Sequence, residues 1–414
     1  MARDNPPTSS QRHAPLGQRE FIVLIAALMS LQALGVDAML PALPSIGQSL
    51  HVVGENTTQW VIAAYVYGFG AMQLVYGPLA DRYGRRPVLI VTMVGFVLAS
   101  IVASVSASFP LLIAARVLQG TMSASTRVLT TSIVRDCYTG RTMARIMSLA
   151  QMLFFIVPIL APTVGSAILL IGPWRWIFWF LAVFATVVSL WAALRMPETL
   201  RVEDRRAISV ESLLSAWKQT LTNRFSLGYA LASTCMFGSI LGYVNSSQQL
   251  FADVFHRPDI FPLAFAITAG AMGIMTFANA QLVERFGTRR LSHIALLALI
   301  AISAVHLLVE LAGYQTLTNY LALQALTMAC FGLTGSNFSA MAMEPVGHIA
   351  GTASSVQGFI STLGGATIGI IIGQAFNGTT LPVTTGFLIV AVAALIIVLV
   401  TEGGRLFVAR NLAV

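Results

Sequence analysis

The stretch GPLADRYGRRP at residues 77–87 returns, without a gap, as AQLVERFGTRR at residues 280–290. Leu79/Leu282, Arg82/Arg285, Gly84/Gly287 and Arg86/Arg289 are identical pairs, and Asp81 stands opposite Glu284. Each copy follows one long apolar run and precedes another, at an offset close to half the 414-residue chain. Chance matches of this kind would not also agree in topological position. Two related halves are the simplest account.

Outward from these two turns, apolar runs fall at about 20–43, 58–78, 88–107, 110–133, 143–171 and 175–195, then at about 226–250, 260–283, 291–312, 316–341, 349–375 and 383–403. Of all residues 56% are hydrophobic and 10% charged, far fewer charges than the roughly 25% of a water-soluble domain. In hydrocarbon every backbone polar group must be satisfied within a helix or a closed barrel. Unbroken runs of roughly 20 residues fit helices, whereas a barrel needs alternating segments of about ten. The expected fold is an all-α membrane protein, with twelve transmembrane helices in two pseudo-symmetric six-helix bundles. The bundles are placed at residues 1–195 and 225–414, with a polar linker at 196–224 that opens with PETL.

The net charge of +8 invites a nucleic-acid reading, but its distribution argues against one. If the loops alternate, twenty of the 24 basic residues fall on one side. Only Arg175 and Arg257 fall on the other, and Arg116 and Arg127 lie inside the fourth run. By the positive-inside rule this places both chain ends in the cytoplasm. The first run follows Arg3, Arg12 and Arg19 but has no clear small-residue cleavage site, so it reads as a retained helix. Cys137, Cys235 and Cys330 are too few and too scattered for a disulfide framework. No phosphate loop, nucleophile constellation or metal cluster is present, so an enzyme, a cofactor and ATP are not expected, and energy must come from an ion gradient.

Three spans carry polar groups that need a reason. In the fourth, Arg116, Gly120, Ser123, Arg127 and Thr130 repeat at intervals of 4, 3, 4 and 3 and so share one face. An arginine inside a span costs about 2.5–3.5 kcal/mol on insertion scales and rarely faces lipid. Arg116 and Arg127 therefore either line a central cavity or snorkel to the nearer interface. Asp37 is the one carboxylate well inside a run of the N-terminal half, at a depth comparable to Arg116. A buried carboxylate favours its neutral form and a nearby guanidinium favours its charged form, so such a pair can exchange a proton near neutrality. In the fifth span Gln151, Phe155, Pro158, Pro162 and Gly165 share a face, with the prolines bending the helix. Asn245, Gln248, Gln249, Asn337 and Gln357 of the second half would contact substrate or tie helices together.

These motifs resemble the major facilitator superfamily over nearly the whole chain. Gly77, Leu79, Ala80, Asp81, Arg82, Gly84, Arg85 and Arg86 are similar to its signature loop G-x-L-A-D-R-x-G-R-R, which implies a gating role on the cytoplasmic side. ARVLQG at 115–120 resembles the arginine motif of its proton-coupled antiporters. LGVDAMLPALP around Asp37 resembles the acidic first-helix motif of drug:proton antiporters of the bicyclomycin- and chloramphenicol-resistance type. APTVG at 161–165 departs from the general antiporter motif G-P-x-x-G-G but resembles the A-P-x-x-G variant of that subgroup.

The resemblance implies a monomer in the inner membrane of a bacterium, exporting small amphipathic drugs in exchange for protons by alternating access. Asp37 and Arg116 would couple the proton, and together with Gln151, Phe155, Asn245 and Gln357 they would meet the substrate. The alternatives are an exporter of one physiological metabolite on the same scaffold, or a membrane sensor that transports nothing.

Overall fold

A computed structural model describes residues 16–54, 56–205 and 210–408. Both chain ends, with Arg3, Arg12 and Arg410 of the charge count, lie outside the described residues, as does Arg206 in the linker. All twelve expected spans are helices. They are α1 (Gln18–Asp37), α2 (Trp60–Tyr83), α3 (Arg85–Ser104), α4 (Phe109–Cys137), α5 (Gly140–Ile171) and α6 (Arg175–Arg195), followed by α7 (Arg224–Gln249), α8 (Phe261–Phe286), α9 (Thr288–Leu311), α10 (Leu317–Met343), α11 (Ala350–Gln374) and α12 (Leu381–Glu402). Among the described residues, nine helical stretches are long and apolar enough to cross a membrane, one of which, Leu317–Gln374, holds both α10 and α11. The two spans outside that set, α2 and α4, are rich in tyrosine, glycine, hydroxyls and the two arginines, as befits helices packed within the protein.

The repeated turn has a backbone reason. Gly84 ends α2 at φ 101°, ψ 156°, and Gly287 ends α8 at φ 79°, ψ 152°. Residues with a Cβ avoid this region, so both copies need glycine. Beyond Gly84, the free amides that open α3 are met by Glu198 from the linker. Its carboxylate accepts from the Arg85 and Arg86 backbone nitrogens at 2.9 and 3.2 Å, where a negative charge also suits the helix dipole. Arg85, only 3% exposed, pairs with Asp81 at 2.5 Å and Asp136 at 3.1 Å. In the second half Arg289 reaches Glu402 at 2.9 Å and Glu344 at 3.0 Å. Each basic turn is therefore held within its own half.

The halves meet in a manner the repeat anticipates: the second span of each packs on the fifth span of the other, α2 on α11 and α5 on α8. Inside the first half, α2 packs closely on α4. A Cβ at Gly120 would run into the Tyr65 carbonyl, and one at Gly68 into the Val117 carbonyl.

One element differs from the expectation. The first apolar run is not one helix. It ends at Asp37 and resumes as a turn, Leu40–Ala42, and a short helix, Leu43–Ser49, each with proline in its first turn. Pro41 and Pro44 suit helix starts but interrupt a continuous ladder. The linker carries a helix of its own. Helix Val210–Thr222 buries Ala216 and Thr220 and packs on α11 and α7 of the second half.

Candidate functional site

A cavity of about 1740 Å³ lies between the halves. Its wall includes Gln32, Gln73, Gln151, Phe155, Met236, Phe237, Met272, Phe331 and Gln357, so amides, aromatic rings and thioethers alternate around it. Gly77, Asp81, Arg85, Arg135 and the linker residues Glu203–Arg205 line its mouth. The cavity thus opens on the face that carries the arginine-rich loops.

The opposite face is sealed by a clasp of neutral amides. At the start of α2, Gln59 donates to the Gln249 side chain at 2.7 Å and to the Gly373 carbonyl at 3.0 Å. Gln249 donates to Asn56 at 2.9 Å. Asn56 donates to the carbonyls of Gln374 and Phe376 at 3.0 and 2.9 Å. Gln374 in turn donates to the Asn56 carbonyl at 2.7 Å and to the Gln59 side chain at 3.3 Å. Deeper in, Gln73 of α2 donates to Thr362 of α11 at 2.8 Å, and the Tyr67 and Thr367 hydroxyls share a bond of 3.0 Å. Gln249 was a candidate for substrate contact from sequence. Asn56, Gln59 and Gln374 gave no such signal, since an amide at a span end has no distinguishing pattern.

Neither Asp37 nor Arg116 is on the cavity wall. Arg116 is fully buried. Its Nε donates to the Val61 carbonyl at 2.8 Å, Nη2 to the Gly35 carbonyl at 2.7 Å and Nη1 to Gln119 Oε1 at 2.5 Å. The guanidinium lies 4.5 Å from the Tyr65 ring centre and 5.8 Å from that of Phe178, a cation–π arrangement. Gln119 passes the tie on to Ser100 at 2.7 Å, and the Tyr65 hydroxyl donates to Ser123 at 2.6 Å. Arg116 is thus a strut joining α1, α2, α4 and α6. It meets the α1 backbone two residues before Asp37 and makes no ion pair with the carboxylate in this state. Asp37 is buried, at 7% exposure, and has no hydrogen bond or ion pair among the described residues.

On α5, Gln151 and Phe155 face the cavity, and Pro158 and Pro162 lie within the helix. Gly165 lets α5 press on the chain just past Asp37, where a Cβ would meet the Ala38 carbonyl. In the second half, Gln357 lines the cavity while donating to Ser226 at 3.0 Å and to the Ala342 carbonyl at 2.9 Å. Asn337 and Asn279 pair reciprocally at 2.8 and 3.2 Å, which is interhelical glue. Asn245 is buried in α7, off the cavity wall. In the signature loop, Arg82 is exposed with its guanidinium 5.3 Å from the Tyr83 ring centre, and Arg86 donates to the Ala193 carbonyl at 2.6 Å.

Two six-helix bundles around a central cavity, closed on one face and open on the other, are the architecture of a membrane transporter. Residues 25–369 match the family model of the Major Facilitator Superfamily, and the chain belongs to that family. It is 30% identical over 376 residues to the "Uncharacterized MFS-type transporter YdgK" of Bacillus subtilis, covering 89% of this chain and 92% of that one. It is 27% identical to the "Bicyclomycin resistance protein homolog" of Haemophilus influenzae, over 87% of this chain and 91% of the relative. To the "Multidrug resistance protein MdtL" of Salmonella paratyphi C it is 30% identical, over 84% and 86%. Among solved structures, a D-xylose-proton symporter shares the fold with a TM-score of 0.70 at 14% identity, over 91% of this chain and 97% of that one. The human organic anion transporter MFSD10 does so with 0.66 at 18%, over 96% and 100%.

Proposed function

We propose that the chain is a proton-driven exporter of small amphipathic compounds, antibiotics among them, in the inner membrane of a bacterium. The basic loops and both chain ends face the cytoplasm, and one chain forms the whole pathway. The observation that carries this reading is Asp37, a carboxylate buried in the N-terminal half with no hydrogen bond or ion pair among the described residues, in a protein whose central cavity has a mixed polar and aromatic wall. Relatives named for bicyclomycin and multidrug resistance support the substrate class. Protonation of Asp37 removes a charge that the protein interior disfavours, and with it the barrier to moving α1 against α5. Substrate and proton then occupy the N-terminal half in turn.

The test is uphill uptake of chloramphenicol and bicyclomycin into inverted vesicles under an imposed pH gradient. Asp37→Asn is expected to abolish accumulation while leaving gradient-free equilibration intact. An Asn variant that still accumulates drug with unchanged pH dependence refutes the coupling role. Mutual competition among unrelated drugs separates this exporter from one dedicated to a single metabolite.

A further inference from the structure

Arg127 is left without a task by the reading above. It lies on α4 about ten residues before the helix ends at Cys137, hence about 15 Å inside the basic face. An arginine side chain cannot snorkel that far, and this one does not need to. It is exposed, and it lines the central cavity. Its guanidinium makes no hydrogen bond, ion pair or ring contact among the described residues, in contrast to the buried Arg116 and Arg85, each tied at several atoms.

Among the described residues, the carboxylates on the cavity wall are Asp81, Asp136, Glu203 and Asp204, all at the mouth. Asp81 and Asp136 are engaged with Arg85, and Glu203 pairs with Arg201 at 3.3 Å. Asp136 stands nine residues, about 13 Å, further along the same helix than Arg127. The innermost charge on the wall is therefore a single uncompensated cation. Thr131 and Ser132 follow it around the cavity-facing side of α4, and Phe155, Phe237, Phe331 and Met272 supply apolar wall.

We infer that Arg127 is the recognition point for a negatively charged group on the transported molecule, so that the preferred substrates are amphipathic organic anions, carboxylates or sulfonates on an aromatic or aliphatic body. The inference rests on the export reading and adds a substrate class to it. An anion placed on Arg127 forms the charge-assisted forked hydrogen bonds that the guanidinium otherwise lacks, and the mouth arginines, Arg135 foremost, favour its entry. An amphipathic cation meets the opposite field, which is discrimination by repulsion as well as attraction.

The test uses the full chain in proteoliposomes with two fluorescent probes that differ in one group, dansyl-phenylalanine, a carboxylate, and dansyl-phenylalaninamide, its neutral counterpart. The wild-type chain is expected to bind the acid at least about tenfold more tightly than the amide, the scale of one hydrogen-bonded charge. Arg127→Gln should erase that preference and leave amide binding within about threefold. Arg127→Lys, which keeps the charge but loses the fork, should restore a substantial part of it and controls for folding. Equal binding of both probes by the wild type, an unchanged preference in Arg127→Gln, or no binding of either probe overturns the inference. A pH gradient applied to the same vesicles separates the two claims. If the amide is driven uphill and the acid shows no dependence on Arg127, export stands and the inference falls. If acid binding depends on Arg127 but neither probe is driven, the inference stands and the export reading falls.

Discussion

Replacing Gln59 by leucine removes three of the seven hydrogen bonds of the amide clasp, those to Gln249, to the Gly373 carbonyl and from Gln374. At about 1 kcal/mol net each, the loss is about 3 kcal/mol. Leucine fills a similar volume, and it leaves the Gln249 oxygen and the Gly373 carbonyl without that donor, which pushes in the same direction. All three bonds cross between the halves and exist only while the outer face is closed. The loss therefore falls on one conformation, and a shift of about 3 kcal/mol changes the ratio of the two states roughly a hundredfold. A cysteine at Ser354, exposed on the cavity wall of α11, reports the open mouth through its alkylation by an impermeant maleimide in inverted vesicles. The native cysteines are buried and contribute little background. The Gln59→Leu background should slow that alkylation, by about twofold if the parent favours the open mouth a hundredfold and by more if it favours it less. An unchanged rate, in protein of unchanged melting temperature, refutes the assignment of the clasp as the outer closure.

Arg116→Lys should destabilise the first half by about 2–4 kcal/mol, since one ammonium cannot replace three hydrogen bonds and two ring contacts, and the Val61 and Gly35 carbonyls lose a partner. Thermal unfolding in detergent reads this, and a variant as stable as the parent contradicts the strut. Gly84→Ala should cost about 1–3 kcal/mol through backbone strain at φ 101°, with Gly287→Ala alike. Melting temperatures of both variants against a Gly270→Ala control, a position where the added methyl meets nothing, provide the check.

The twelve helices were legible because hydrocarbon leaves the backbone few choices, and the turn repeat because a glycine-only conformation forces the same residue twice. Spacing put Gln151 and Phe155 on one face of α5, and both line the cavity. Spacing also put Arg116 and Arg127 on one polar face of α4, yet that face spans two environments. Arg116 is enclosed by Tyr65 and Phe178, while eleven residues later Arg127 meets open space. Helical period tells which side a residue is on, not what stands opposite. The break after Asp37 was signalled by Pro41 and Pro44 but submerged in an apolar run. The partnership of Glu198 with the start of α3 spans 113 positions and has no local signature. The clasp draws its amides from three distant span ends.

Glu198 also sets a mechanical limit. It ties the linker to the first half at the Arg85 and Arg86 amides, while helix Val210–Thr222 rests on the second half, with His348 and Gln219 3.0 Å apart. Between Leu200 and Val210 run about ten residues, which fully extended span at most roughly 35 Å. The halves are therefore leashed at the very rim where the cavity opens. The linker acts as a stop that bounds how far the mouth can gape, and lengthening or cutting it would relax that bound.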